Sequence, residues 1–315
     1  MSPLIKTRFL ILSDTHGLQF QEDRKLHESA DVAIHCGDLT GDSKLHDFKQ
    51  AIELLKEIDA PLKIVIAGNH DFTLDDLAFE QKITEASRLA QEDLEDSIKT
   101  EYGDYGDARR LLHEARDQGI VFLEEGSHQF TLDNGALLKV YASPYTPTTG
   151  NSSDWGFQYN GAHEFDIEKG TDIVKGSESD ALNSLLPSPE PNPNFTVLDT
   201  FTIVGVQNWL PGDRQYLTDL HIFSDIDNGK SVVIESLSRL KGSKFESAED
   251  REAREDTVER YKSQRCCRTS HCDGDDRPLD SRETLFVNAA VMGDDELSQY
   301  PWLVDIELEP YQGKS

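Results

Sequence analysis

The chain has 315 residues, enough to bury a sizeable core in one large domain or two small ones. Sixty acidic side chains against thirty-one basic ones give a formal charge of −29. That excess argues against nucleic acid or an anionic membrane surface as a partner, because phosphate binding needs clustered Lys and Arg.

No apolar run reaches the roughly 18 residues of a membrane span. The N-terminus, Met1-Ser2-Pro3-Leu4-Ile5-Lys6, runs straight into the first apolar stretch without signal-peptide anatomy, which sets the expectation of a cytoplasmic protein. Its four cysteines are then reduced thiols rather than a disulfide framework. Hydrophobic residues make up 37%, low for a compact globule, so part of the chain is expected to be loose or solvated.

Three stretches in the first quarter share one grammar, an apolar strand followed by a sharp polar turn. Phe9–Leu12 precedes "SDTHG", Val32–His35 precedes "CGDLTG", and Leu62–Ala67 precedes "GNHD". Between the second and third, Leu45, Phe48, Ile52 and Leu55 fall near helical spacing, which predicts a helix over 45–58. Strands apolar throughout and separated by a helix belong to a sheet buried on both faces. In such sheets function gathers on the loops at the carboxyl ends of the strands, where all three polar turns sit.

Residues 76–118 are charged and helical in pattern, ending at Gly119 before the strand "IVFLEE". "HQFTLDNGALLKVYAS" (128–143) reads as a hairpin around a two-residue Asn134-Gly135 turn. "NSSDWGFQYNG" lies in a long loop rich in aromatics, and "LPSPEPNPN" (186–194) is a proline-rich break, extended or disordered. Strands are expected near 197–204 and 230–237. Residues 241–265 alternate sign densely, as a solvated helix or flexible excursion does. "CCRTSHC" (266–272) offers thiols and an imidazole to zinc, although its spacing fits no common zinc knuckle; the other reading is an irregular surface segment. "TLFVNAAVMG" and "PWLVDIELE" close the chain as two strands.

The chemistry concentrates in the three turns. Asp14 and His16 alternate by two, so in an extended segment both side chains point the same way. Asp38 and Asn69 each follow a glycine, which lets the backbone turn tightly beside a bound ion. Carboxylate, imidazole and amide oxygen donors suit divalent Mn, Fe, Zn or Mg. A carboxylate shared by two such ions forms a clamp for in-line displacement at phosphorus, and Asp38 is the central one. Taken singly, Asp14 is as ordinary as a helix or turn cap, Gly37-Asp38 as a turn, and His70 as an exposed loop residue. The order and repetition of the three turns is what sets them apart.

D-x-H, then G-D, then G-N-H-D resembles the calcineurin-like metallophosphoesterase superfamily. Within it, "SDTHG", "CGDLTG", "AGNHD", "GTDI" and the closing "LFVNAA…PWLVDIEL" look like the small eukaryotic metallophosphoesterase-domain proteins. The resemblance covers residues 5–174 and about 278–309. It implies a single α/β domain over 5–309, a four-layer α/β/β/α sandwich, with 175–277 an atypical, partly loose segment. It also implies a two-metal site, with Asp14, His16, Asp38 and Asn69 as metal ligands. His70 would contact the phosphate and protonate the leaving oxygen, while Asp71 would orient that imidazole. The activity implied is phosphoesterase: attack of a metal-bound hydroxide on a phosphodiester or a small phosphomonoester such as a nucleotide.

Two motifs of the resemblance are missing from the second half, a T-H-G turn after "GTDIV" and a G-H-x-H turn. Ser224-Asp225-Ile226-Asp227 has the right surroundings for the latter, with aspartates in place of both histidines; the other reading makes Asp225 and Asp227 plain turn residues. A third treats 175–210 as a splice or gene-model product. The missing histidines also keep open a catalytically weak or inactive member, a metal-binding regulatory module whose acidic surface engages a basic partner protein.

Overall fold

The computed structural model describes residues 3–90, 95–147, 155–160, 174–175, 195–198, 201–205, 232–235, 240, 242–243, 245–279, 284–293 and 295–313. In chain order the first half runs β1 (Ile5–Leu12), β2 (Val32–Cys36), α1 (Leu45–Glu57), β3 (Leu62–Ile66), α2 (Asp76–Ala90), α3 (Glu95–Tyr102), α4 (Asp107–Glu114), β4 (Ile120–Phe122), β5 (Gly126–Thr131) and β6 (Leu137–Ser143). There follow the short β7 (Thr146–Pro147), β8 (Gln158–Tyr159) and β9 (Val174–Lys175), then β10 (Phe195–Leu198), β11 (Phe201–Gly205), α5 (Ala248–Gln264), β12 (Cys267–Ser270), β13 (Thr284–Asn288) and β14 (Trp302–Leu308).

Two six-stranded sheets form, in the orders β12-β14-β1-β2-β3-β4 and β13-β11-β10-β6-β5-β9. In the first, β1, β2, β3 and β4 are mutually parallel, and the chain's last strand returns antiparallel beside its first, Ile5 opposite Leu308 and Ile11 opposite Trp302.

Strand alternation sorts the core into two layers. Phe9 and Ile11 of β1, Ile34 of β2 and Ile64 of β3 face the second sheet, where Phe130, Leu138, Val140 and Val287 meet them. Leu10, Leu12, Ala33 and Val65 point the other way, onto Phe48, Ala51, Ile52 and Leu55 of α1 and Ala108 and Leu112 of α4. Each large aliphatic side chain buried this way contributes about 1.5–3 kcal/mol, which makes the double-faced strands the strongest structural commitment in the chain. The result is a mixed α/β fold, with helices on a mainly parallel sheet and a second sheet behind it. The outer helical layer of the expected four-layer sandwich is not among the described residues. No helix of the described residues is long and apolar enough to cross a membrane.

Several expectations need correction. The 128–143 hairpin forms, but its strands end at Thr131 and Leu137, and the connection is longer than two residues. Gly135, at φ 87, donates to the Leu132 carbonyl and Leu132 to the Ala136 carbonyl, a turn closed by a left-handed residue, and the Asn134 side chain accepts from Ala136 N–H. The strand expected at 197–204 is a hairpin, β10 with β11, and residues 232–235 are not in a strand. "CCRTSHC" is not an irregular surface segment. It is the edge strand of the first sheet, with Cys266 and Cys267 buried and His271 bonded to the Arg277 carbonyl and the Thr269 hydroxyl. The proline-rich break at 186–194 lies outside the described residues.

Candidate metal centre

The three polar turns converge at the carboxyl ends of β1, β2 and β3. The first lies on the second through three backbone bonds: Asp14 N–H to Gly37 O at 3.1 Å, His16 N–H to Asp38 O at 3.1 Å, and Gly17 N–H to Leu39 O at 2.7 Å. Its other side is held by the C-terminal segment, Ser13 N–H donating to Ala289 O at 2.8 Å and Val291 N–H to Ser13 O at 3.1 Å. Asp14, His16, Asp38 and Ser43 all sit at positive φ (57, 48, 52 and 61°), a concentration of costly backbone that packing must enforce.

Donor atoms of His16, Asp38 and His70 lie within 4.8 Å of one another, the one group of at least three His, Cys, Asp or Glu residues among the described ones that is arranged to hold a metal ion. Both imidazoles are oriented by the second turn: His16 Nδ1 faces the Thr40 carbonyl at 3.1 Å, and His70 Nδ1 the Gly41 carbonyl at 2.6 Å. A carbonyl only accepts, so each Nδ1 carries the proton and the lone pair of the neutral ring is on Nε2. Backbone carbonyls behind a ligating imidazole are the usual means of fixing its tautomer. Asp38, 3% exposed, accepts the His70 N–H through Oδ1 at 2.8 Å, which ties the second turn to the third.

Asp14 takes a hydrogen bond from the Ser13 hydroxyl. Burial pushes its carboxyl up, against the pull of that hydroxyl and of the two histidines. Asp38 is pushed up to about 8, by burial first and then by the neighbouring Asp71 and Asp14, with the His70 N–H opposing. Burial also lowers His16, and His70 beside it adds to the effect. Crowded buried carboxylates beside two imidazoles form a donor set suited to a divalent cation, and the residues fit such an ion.

The remaining expected residues have distinct surroundings. Asp71 is fully buried, and its two oxygens accept from Gly68 N–H, Leu39 N–H, Thr40 N–H and the Thr40 hydroxyl at 2.9, 3.1, 2.9 and 2.7 Å. It braces the second turn against the third; the carbonyl of Gly41, not Asp71, faces His70 Nδ1. Burial pushes its carboxyl up to about 6, with these donors pulling it down. Asn69 contributes its carbonyl to Gly156 N–H at 2.9 Å. Asp225 and Asp227 lie outside the described residues.

Three neighbours of the centre were not among the expected site residues. Thr40 supplies a carbonyl to His16 and two donors to Asp71. Trp155 lies against His70 with ring centroids 3.9 Å apart and planes tilted by 39°. His35, fully buried under Thr15, bonds its hydroxyl through Nε2 at 2.9 Å and is held neutral by burial, its pKa lowered to about 3. In the sequence His35 closes an apolar strand, Thr40 lies in the second turn and Trp155 in an aromatic-rich loop, none with a signal of its role at the centre.

Residues 7–156 match the model of the calcineurin-like phosphoesterase family. Over 157 residues, 48% of this chain, it is 28% identical to metallophosphoesterase domain-containing protein 1 of Homo sapiens and of Mus musculus, covering 40% of each. Over 152 residues it is 29% identical to a protein of Emericella nidulans named probable rhamnogalacturonate lyase C, covering 11% of it. The matched region thus spans well under half the length of these relatives. The family match contains all three turns and ends just beyond Trp155. Over residues 7–156 the chain is similar to the calcineurin-like phosphoesterase family.

Proposed function

We propose that this protein is a metal-dependent phosphoesterase that hydrolyses a phosphodiester or a small phosphomonoester such as a nucleotide. What supports the reading is the convergence of His16, Asp38 and His70 at the ends of three parallel strands, with both imidazoles tautomerically fixed by carbonyls of the second turn. Asp14, His16, Asp38 and Asn69 would hold the divalent ions in this reading, with Asp38 the central carboxylate. Two imidazole-bearing turns favour Mn, Fe or Zn over Mg.

When bound, such ions supply Lewis acidity toward phosphoryl oxygens and bring the pKa of water to about 7. The chain's own residues do the rest. Asp38 holds the His70 backbone, so that the imidazole keeps its place when substrate enters. With Nδ1–H engaged on Gly41, a proton given to the leaving oxygen departs from Nε2 of the His70 imidazolium and leaves the neutral ring with its lone pair there. Asp71 keeps the second and third turns at fixed separation, which sets the distance between the ligands and that imidazole. The four reduced cysteines suit a cytoplasmic setting.

The test is hydrolysis of bis(p-nitrophenyl) phosphate with Mn²⁺ by wild type and Asp38→Asn. The variant is expected to lose at least about a hundredfold in kcat, the scale of removing a group that acts in the transition state. Undiminished turnover in Asp38→Asn would remove the shared-carboxylate mechanism. Metal stoichiometry on the purified protein provides the second check: two tightly bound ions per chain are expected, and none would overturn the reading.

A further inference from the structure

The segment Trp155-Gly156-Phe157 lies against the centre with no role in the mechanism above. Its indole covers one face of the His70 imidazole, centroids 3.9 Å apart and planes 39° apart. The His16 ring meets His70 edge-on at 4.6 Å and 86°. With Nδ1 on the Gly41 carbonyl, the His70 ring is bounded on one face, by a neighbouring ring and at one nitrogen.

The segment is itself pinned to the stretch that carries His70. Gly156 N–H donates to the Asn69 carbonyl at 2.9 Å, and Phe157 N–H to Asp75 Oδ2 at 2.8 Å. A Cβ at position 156 would stand 2.8 Å from Phe72 Cα and 3.2 Å from its Cβ, so only glycine permits this approach. From the far side the Phe157 carbonyl accepts from Thr146 N–H at 2.9 Å, and the Phe157 and Tyr145 rings meet at 84°. A chance surface contact needs none of this anchoring. Residues 69–75 hold both the imidazole and the indole that covers it.

We infer that Trp155 is a positioning residue of the centre: its indole keeps the His70 imidazole in the one orientation that turns Nε2 toward His16 and Asp38. It acts through His70 and touches no reacting atom. Displacing a group at a reaction centre by about 1 Å costs on the order of a hundredfold in rate without a matching loss of binding, so the effect belongs in kcat rather than KM. The kinetic part of this inference rests on the phosphoesterase reading; the orientation of the ring does not.

Two measurements test it on the full chain, with variants Trp155→Ala and Trp155→Phe. In metal-free protein labelled at histidine, the His70 ring-proton resonances, identified by their loss in His70→Asn, are expected to be ring-current shifted. In Trp155→Ala they should move to averaged, solvent-like positions, and in Trp155→Phe keep part of the shift, while the His128 and His271 signals stay put and report an intact fold. Unmoved His70 resonances in Trp155→Ala overturn the inference whatever the enzyme does. With the aryl phosphodiester and Mn²⁺, Trp155→Ala is expected to lose about ten- to a hundredfold in kcat with KM changed less than about threefold, and Trp155→Phe to recover most of it. A loss confined to KM, or none, rejects the positioning role. A wild type that hydrolyses nothing sinks the phosphoesterase reading instead, and the resonances alone then decide the indole's role.

Discussion

Replacing Asp305 by Asn removes the charge at the seam between the first and last strands and leaves the shape. The Asp305 side chain is 1% exposed, and three cations reach it: Arg8 Nε at 2.7 Å, Lys6 Nζ at 3.1 Å and Arg268 Nη2 at 3.4 Å. Burial alone would push its carboxyl up; the hydrogen bonds from Arg8 and Lys6 more than offset that, and the group lies below the ordinary carboxylate range. Arg8 is 26% exposed, so its charged hydrogen bond carries most of the usual value of about 1.5–3 kcal/mol. Lys6 at 52% and Arg268 at 41% are largely screened, so each adds only about 0–1 kcal/mol. The variant should therefore lose about 2–3 kcal/mol at pH 7, less than the 3–5 kcal/mol of breaking a fully buried pair, because two of the three orphaned cations can return to water. The folded pKa is depressed, so the stabilisation is fully present above the unfolded value of about 3.9 and fades as pH falls through the folded one. Urea unfolding of both proteins in metal-free buffer, followed by circular dichroism at several pH values, should show a gap at pH 7 that narrows below about pH 4. Equal stability at pH 7, or a gap that persists in acid, refutes the reasoning.

Asp71→Ala deprives Gly68, Leu39 and Thr40 of the acceptor for their buried N–H groups; at about 1–3 kcal/mol each, less what entering water restores, the melt should drop by at least about 3 kcal/mol. Calorimetry with Mn²⁺ should show affinity weakened about ten- to a hundredfold in the same variant, and wild-type values in both would dismiss the brace. Asp75→Ala removes the acceptor for Leu77 and Ala78 at the start of α2 and for Phe157, so it should cost about 1–2 kcal/mol and speed amide exchange at Phe157; unchanged exchange would detach Asp75 from the Trp155 segment. All four cysteines are free and buried, and burial raises Cys266 to about 11. A thiol reagent at pH 8 should find almost none in the native protein and all four after denaturation, and fast native labelling would contradict the packing around β12.

The first half of the chain could be read because its signals are local. Phe9–Leu12, Val32–His35 and Leu62–Ala67 announce buried strands by composition alone, and the turns behind them carry Asp14, His16, Asp38 and Asn69. The role of Asp71 was not local. Its partners at Leu39 and Thr40 lie some thirty residues back, and nothing in "GNHD" says that the carboxylate looks toward them rather than toward the imidazole beside it. Trp155 escaped for the same reason: eighty-five positions separate it from the ring it covers. "CCRTSHC" misled because a metal motif and a packed strand share that composition: Cys266 joins the helix-side core, and Cys267, also buried, opens β12. The Asn134-Gly135 pair marked the hairpin correctly but not its length, since the same dipeptide serves a two-residue turn and a longer one closed by a left-handed glycine.

The antiparallel pairing of β14 with β1 also fixes when the centre can exist. Arg8 and Asp305, opposite each other, are separated by 297 positions. β1 keeps one edge open until residues 302–308 have been made, which is the circumstance in which strand edges recruit wrong partners. The turn that bears Asp14 and His16 waits as well, because Ala289 and Val291 supply two of its backbone bonds. A fragment cut to the family-matched residues 7–156 would hold every proposed ligand yet lack the strand beside β1 and the clasp on Ser13. The turn bearing Asp14 and His16 is therefore complete only once residues 289–308 are in place, and a chain cut before them carries the motif without its supports.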